Sequence, residues 1–379
     1  MKTDPVAENP LLHLGGIAFR HPQKTAYLGR VFDDTTNSYK LFWFLALLSL
    51  LRRTEDRSFS FDDIFIEMVV VAWHPVCLYR LSMGRQDKFQ EVLLKLKHLS
   101  QLPANATPDA IREAMYAFKG VPTLLRFMKK YVPMRFLSPW FAEQLRGQMD
   151  SKRNRQIESL AQKSQSTPSP CPYWFATGEI NINELWREFL LGNMAVAQAF
   201  TEHHLALYLQ SRNPNVPGVI NKLNAPMVRQ LTVARRFWRM VRDGLERAGQ
   251  KERFRDIYSE QPLDDAFTID HFLPWSFVTH DLLWNLTPVA ASTNSKKGDA
   301  IPDIDLYLPR LARFHIEAIR IVRHEPRLLE DYVDCFKLGP DVLLELDGNS
   351  FMKSYRNVVI PQAQIAVNQG FQYGWKLRN

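Results

Sequence analysis

The run Leu41–Leu51 (LFWFLALLSLL), bracketed by Lys40 and Arg52, limits what this chain can fold into more than any other stretch. A segment apolar on every side must be covered, and this one is far short of the roughly 20 residues needed to span a bilayer. It reads as a helix buried in a globular core. The next apolar stretch, Ile64–Leu81, is interrupted by Glu67, His74-Pro75 and Arg80, so it belongs in the same core, and no membrane insertion is expected. With 379 residues, 46% hydrophobic and 23% charged, the chain is long enough for about two to three domains.

Apolar residues recur at three- and four-residue spacing from Tyr39 to about Tyr131, as in Phe89, Val92, Leu93 and Leu96. Thr107 followed by Pro108 reads as a helix cap and first helical position. The spacing predicts a helical N-terminal domain over 1–163. The Ser/Pro-rich stretch 164–172 predicts a linker, and 173–262 a basic helical region broken at Pro217 and Pro226. The opening residues lack the apolar core of a signal peptide. Three widely spaced cysteines, Cys77, Cys171 and Cys335, argue against a disulfide framework and suit a reducing cytoplasm.

Lys and Arg outnumber Asp and Glu 48 to 40, for a formal net charge of +8, which suits a polyanionic partner. The surplus is concentrated. Between Asn221 and Asp256 ten basic residues face four acids, and between Arg126 and Lys163 nine face three, with Phe127, Tyr131, Phe136, Trp140 and Phe141 among them. Arg235, Arg239 and Arg242 stand at four- and three-residue spacing and share a helix face that could track a phosphate backbone; Arg236 adds to the same surplus. A solvated helix face would look the same on charge alone.

The chemistry is concentrated in Ile269–Pro302 (IDHFLPWSFVTHDLLWNLTPVAASTNSKKGDAIP). Phe267–Ile269 reads as a strand ending at Asp270-His271, Leu283–Thr287 as a returning strand, and Ser292 as the cap of a short helix bearing Asn294 and Lys297. Phosphodiester cleavage needs a base, a cation and in-line positioning. An imidazole titrates near neutral pH, so His271 can take a proton from water. Asp270 and Asn294 offer two hard oxygens, the sparse shell in which Mg²⁺ or Mn²⁺ is held at phosphate sites. Lys297 and its neighbour Lys296 could contact flanking phosphates. His280 reads as a solvated loop residue. His203-His204 lacks partners at metal-ligand spacing, and no HExxH occurs.

Asp-His, Pro three residues on, Ser-Phe, Asn285 fourteen residues after His271, Asn294 nine further, and a basic tail ending in Asp-x-x-Pro resemble the ββα-metal motif of HNH endonucleases, especially the zinc-free form in Cas9-type effectors. The resemblance implies His271 as general base, Asp270 and Asn294 as metal ligands, and Asn285 as the middle residue that braces the loop. It covers about 35 residues. Many HNH proteins flank the motif with four zinc-binding cysteines; none are present here, so Mg²⁺ or Mn²⁺ is expected and zinc is not.

Segments around Thr36–Phe44, the turn Leu209–Pro217 and the tail Ile360–Phe371 resemble standalone bacterial HNH proteins of phage-defence systems, including Zorya-type ones. The expected protein is therefore multi-domain and mainly α, with a small ββα nuclease module at 263–305 and a C-terminal helical region at 306–379. It should nick or cleave DNA, double-stranded in the first instance, as a defence effector with partner subunits. The alternatives are a DNA-binding or assembly subunit with a degenerate module, and a free-standing restriction-type nuclease.

Overall fold

A computed structural model describes residues 22–226 and 229–378. The opening segment 1–21, on which the reading against a signal peptide rests, lies outside them, as do Met227 and Val228. The chain forms two compact units, one built from residues up to Pro214 together with Val219–Pro226, the other from Asn215–Gly218 and the residues from Met227 onward. The division falls at 214–227; the Ser/Pro-rich 164–172 lies inside the first unit, where Ser164 Oγ donates to Ala161 O and Asn183 N to Pro172 O.

In the first unit the apolar run becomes helix α1 (Tyr39–Arg53), packed along α2 (Phe61–Trp73) with Trp43 and Trp73 fully buried between their neighbours. Ser60 caps α2 by accepting from Asp63 N. Glu67 is carried inside α2, and a buried carboxylate is tolerated only when paired and hydrogen-bonded. Arg112 grips it in two-pronged fashion at 3.0 and 2.9 Å, with Arg53 at 3.2 Å and Ser49 Oγ at 2.6 Å. Arg112 comes from α3 (Pro108–Ala117), which Thr107 caps through Ala110 N.

A three-stranded antiparallel sheet, absent from the helical expectation, joins β1 (Ser58–Ser60), just ahead of α2, to a hairpin that follows α4 (Asp150–Ser164), formed by β2 (Tyr173–Ala176) and β3 (Glu179–Ile182), in the order β1-β3-β2. The β2–β3 hairpin turns through Thr177-Gly178, where φ of +83° favours glycine. The hairpin leads on to the long helix α5 (Met194–Arg212).

The second unit is built on α6 (Thr232–Arg247). Its buried Ala234, Phe237, Trp238, Val241 and Leu245 recur at helical spacing, and Arg235, Arg236 and Arg239 stay exposed on the other side. The helix packs against α8 (Ile304–Ile321) at Gly244, where an added Cβ would come within 2.4 Å of Ile321 Cγ2. A third long helix, α9 (Gly348–Asn368), is capped by Asp347. Between α6 and α8 the chain forms β4 (Thr268–His271), β5 (Leu286–Val289) and α7 (Ala291–Lys297). Among the described residues no helix is long and apolar enough to cross a membrane.

Candidate active site

The β4–β5 ladder pairs Asp270 with Thr287 and His271 with Leu286. The returning strand starts three residues later than its apolar pattern suggested, because Leu283–Asn285 first makes a 3₁₀ turn. Asn285 closes that turn onto the loop after β4. Its Oδ1 accepts from Leu273 N at 2.8 Å, its Nδ2 donates to Leu273 O at 3.0 Å, and its own carbonyl accepts from Phe272 N at 2.8 Å. Three hydrogen bonds from one fully buried residue fix where the chain turns after His271.

Helix α7 begins at Ala291, so Ser292 lies within it and is not its cap. The fully buried Asp256 does the capping work from outside, its Oδ2 accepting from Ala290 N at 3.0 Å and its Oδ1 from Tyr258 N at 2.8 Å. Asn294 lies on the first turn and a half of α7 and donates through Nδ2 to Ile269 O at 3.2 Å, the residue before Asp270. This leaves its Oδ1 without a partner among the described residues.

Asp270 is 3% exposed, yet both its oxygens are matched. Tyr258 Oη donates to Oδ2 at 2.7 Å, and Lys297 Nζ reaches Oδ1 at 3.1 Å and His271 O at 2.7 Å. Burial first, and then the Asp270 charge, hold the Tyr258 hydroxyl well above its ordinary range, so it stays a donor. Lys297 is itself 3% exposed. Its stem runs inward and its ammonium is spent on Asp270 and the backbone, so the expected contact with a flanking phosphate gives way to an internal ion pair. Lys296, one residue earlier, is exposed.

His271 Nε2 lies 2.8 Å from Asp281 Oδ1. Burial raises the Asp281 carboxyl, but hydrogen bonds from His271 and from Gln230 N outweigh it and hold the group below the usual carboxylate range. An ionised carboxylate can only accept, so Nε2 carries the proton and a neutral imidazole keeps its lone pair on Nδ1. Ser276 Oγ donates to Asp299 Oδ2 at 3.0 Å, tying the two ends of the motif together.

Residues 255–303 match the model of a family described as HNH endonuclease. This segment is an HNH endonuclease domain. No curated protein and no solved structure matches the chain. The HNH domain starts earlier than the hairpin alone suggested, and the added residues include Asp256 and Tyr258. Its fold brings Asp270, His271, Asn285, Asn294 and Lys297 together. The helix α6 arginines lie outside the matched segment. Of these, Arg235 and Arg239 are exposed and unpartnered among the described residues, Arg236 pairs with Glu325 at 3.3 Å, and Arg242 is turned onto Asp243 and Asp265. Arg242 is thus engaged within the protein, apart from the free face expected of it.

Sequence reasoning missed Tyr258, Asp256 and Asp281. Asp281 stood inside the quoted motif, and a carboxylate in a loop that must fold back past His271 was the available signal. Tyr258 gives no such sign, since twelve residues of chain separate it from Asp270.

The donors fit a small hard cation. Asp270 and Asn294 contribute oxygens only, each Asp270 oxygen keeps a further lone pair, and Asn294 Oδ1 is free. Thr287 Oγ1, on the residue cross-strand from Asp270, is buried with no hydrogen-bond partner among the described residues. Among the described residues no group of three His, Cys, Asp or Glu side chains has metal-binding geometry.

Proposed function

We propose that the HNH domain hydrolyses phosphodiester bonds in DNA, with His271 as general base and a divalent ion, Mg²⁺ or Mn²⁺, held by Asp270 and Asn294. The observation that carries this reading is the Asp281–His271 pair, because it leaves Nδ1 as the proton acceptor. Nδ1 takes a proton from water, the water oxygen forms a bond to phosphorus, and the bond from phosphorus to the leaving oxygen breaks. Asp281 balances the imidazolium that results. Lys297 and Tyr258 hold the Asp270 carboxylate in one orientation, and Asn285 keeps the loop after His271 from drifting. A bound divalent ion would offset the charge gathering on the phosphoryl and leaving oxygens.

The exposed Arg235 and Arg239, with the basic surplus around them, support a nucleic-acid substrate. The resemblance to phage-defence nucleases supports a finer reading: a cytoplasmic anti-phage effector, Zorya-like, that works with partner subunits. Purified protein incubated with supercoiled plasmid and Mg²⁺ should give relaxed or linear product, and EDTA should stop it. His271→Ala should lower the rate by about 10² or more, the usual contribution of a general base. Nicking by His271→Ala at the parent rate would remove the assigned base, and salt-sensitive binding with no product would favour a binding subunit. Cells carrying the same variant should lose any protection against phage that the parent gives.

A further inference from the structure

After α9 the chain turns back over the HNH domain. Ile301 N donates to Gln372 O at 2.8 Å, Trp375 N to Ile301 O at 3.0 Å and Asp303 N to Trp375 O at 2.9 Å, a single parallel bridge that straps residues 371–378 to the end of the motif. Leu377 N donates to Tyr307 Oη at 3.1 Å. The strap and Lys296 of α7 enclose a groove of about 500 Å³.

Among the described residues three cations line this groove, Lys296, Lys376 and Arg378, and no carboxylate does. Lys376 pairs with Asp303 at 3.0 Å, while Lys296 and Arg378 are exposed and unpartnered among the described residues. A surface that merely keeps a protein soluble mixes both signs. Trp375 supplies an apolar wall, and its ring meets Tyr258 edge-on with centroids 5.3 Å apart. Tyr258 in turn donates to Asp270. The Trp375 and Tyr258 rings therefore stand between the groove and the proposed metal ligand, and Tyr373, 53% exposed, stands on the same strap.

We propose that this groove receives the sugar-phosphate backbone of the nucleic acid beside the bond to be cut, with Lys296 and Arg378 on successive phosphates. An acidic protein would satisfy the charge too; a nucleic-acid strand is favoured because the groove's Trp375 wall packs on Tyr258, the donor to Asp270, which puts the groove beside the proposed site. The proposal rests on reading the HNH domain as a nuclease, and its test is separate from cleavage.

The test uses full-length His271→Ala protein in EDTA, where no cutting occurs, with short labelled DNA and RNA duplexes of one sequence and fluorescence anisotropy across a salt series. For the duplex that binds, adding Lys296→Gln and Arg378→Gln should weaken binding about tenfold or more and lower the slope of log K against log salt by about two. Lys296→Arg with Arg378→Lys should restore both, which an effect on folding would not allow. Arg323→Gln with Arg327→Gln, an equal loss of exposed charge, should leave the slope nearly unchanged. Unaltered affinity and slope in the groove variant, or no binding of either duplex by the parent, would overturn the proposal. Binding with this slope by the His271→Ala protein, together with no nicking of plasmid in Mg²⁺ by the chain with His271 intact, would sink the nuclease reading and leave the groove standing.

Discussion

A carboxylate that can only accept decides which nitrogen of its imidazole partner stays free. Asp281 makes that choice for His271 across 2.8 Å. Replacing it by Asn keeps the size but lets the amide NH₂ face the ring, which favours the other tautomer. Asp281→Asn should therefore lower the cleavage rate by about 10- to 10³-fold while thermal unfolding stays near the parent, since the loop position is partly exposed; equal rates would show that the pair does not orient the base. The motif's own residues were legible because each stands at a fixed offset from His271, and Asn285 in particular brings backbone partners with it wherever it goes. Lys297 was not. Its offset suggested the phosphate side, and only the burial of α7 against β4 shows that the ammonium has Asp270 within reach.

At the scale of elements, periodicity located the helices well. Thr107-Pro108 marked the start of α3 and the Arg/apolar alternation marked α6, because caps and amphipathic faces are local properties. The hairpin of β2 and β3 escaped because its strands are four residues each, too short for alternation to stand out. Inside α8 lies His315, fully buried, with Nδ1 on Tyr332 Oη at 2.7 Å and Nε2 unpartnered among the described residues. Burial lowers its pKa from 6.5 to about 3. Between those two values the unfolded chain holds a proton that the folded chain refuses, so stability is complete above about pH 6.5 and declines as pH falls toward 3. The slope approaches about 1.4 kcal/mol per pH unit. In chemical denaturation from pH 7 to 4, His315→Gln should show a shallower loss than the parent; parallel curves would refute a neutral, buried imidazole.

For the whole molecule, the 255–303 segment is continuous in sequence but shares its core. Trp238 of α6 donates to Leu286 O at 3.1 Å, Tyr355 of α9 to Trp284 O at 2.9 Å, and Phe371 packs edge-on against Phe277. A peptide of 255–303 should show no cooperative thermal transition by circular dichroism, whereas a fragment from residue 227 onward should melt in one step; a folded short peptide would mean these contacts are dispensable. Motif spacing could not reveal this dependence, since the supporting residues lie as far away in sequence as Tyr355 from Trp284 and Phe371 from Phe277. Because Tyr258 and Lys297 already balance the buried Asp270 charge, the folded chain does not lean on a cation from solution, unlike a domain stapled by zinc thiolates. If the proposed ion is held there, chelation and reloading should thus be reversible operations on the chemistry alone, so that metals could be exchanged one for another on a single intact preparation.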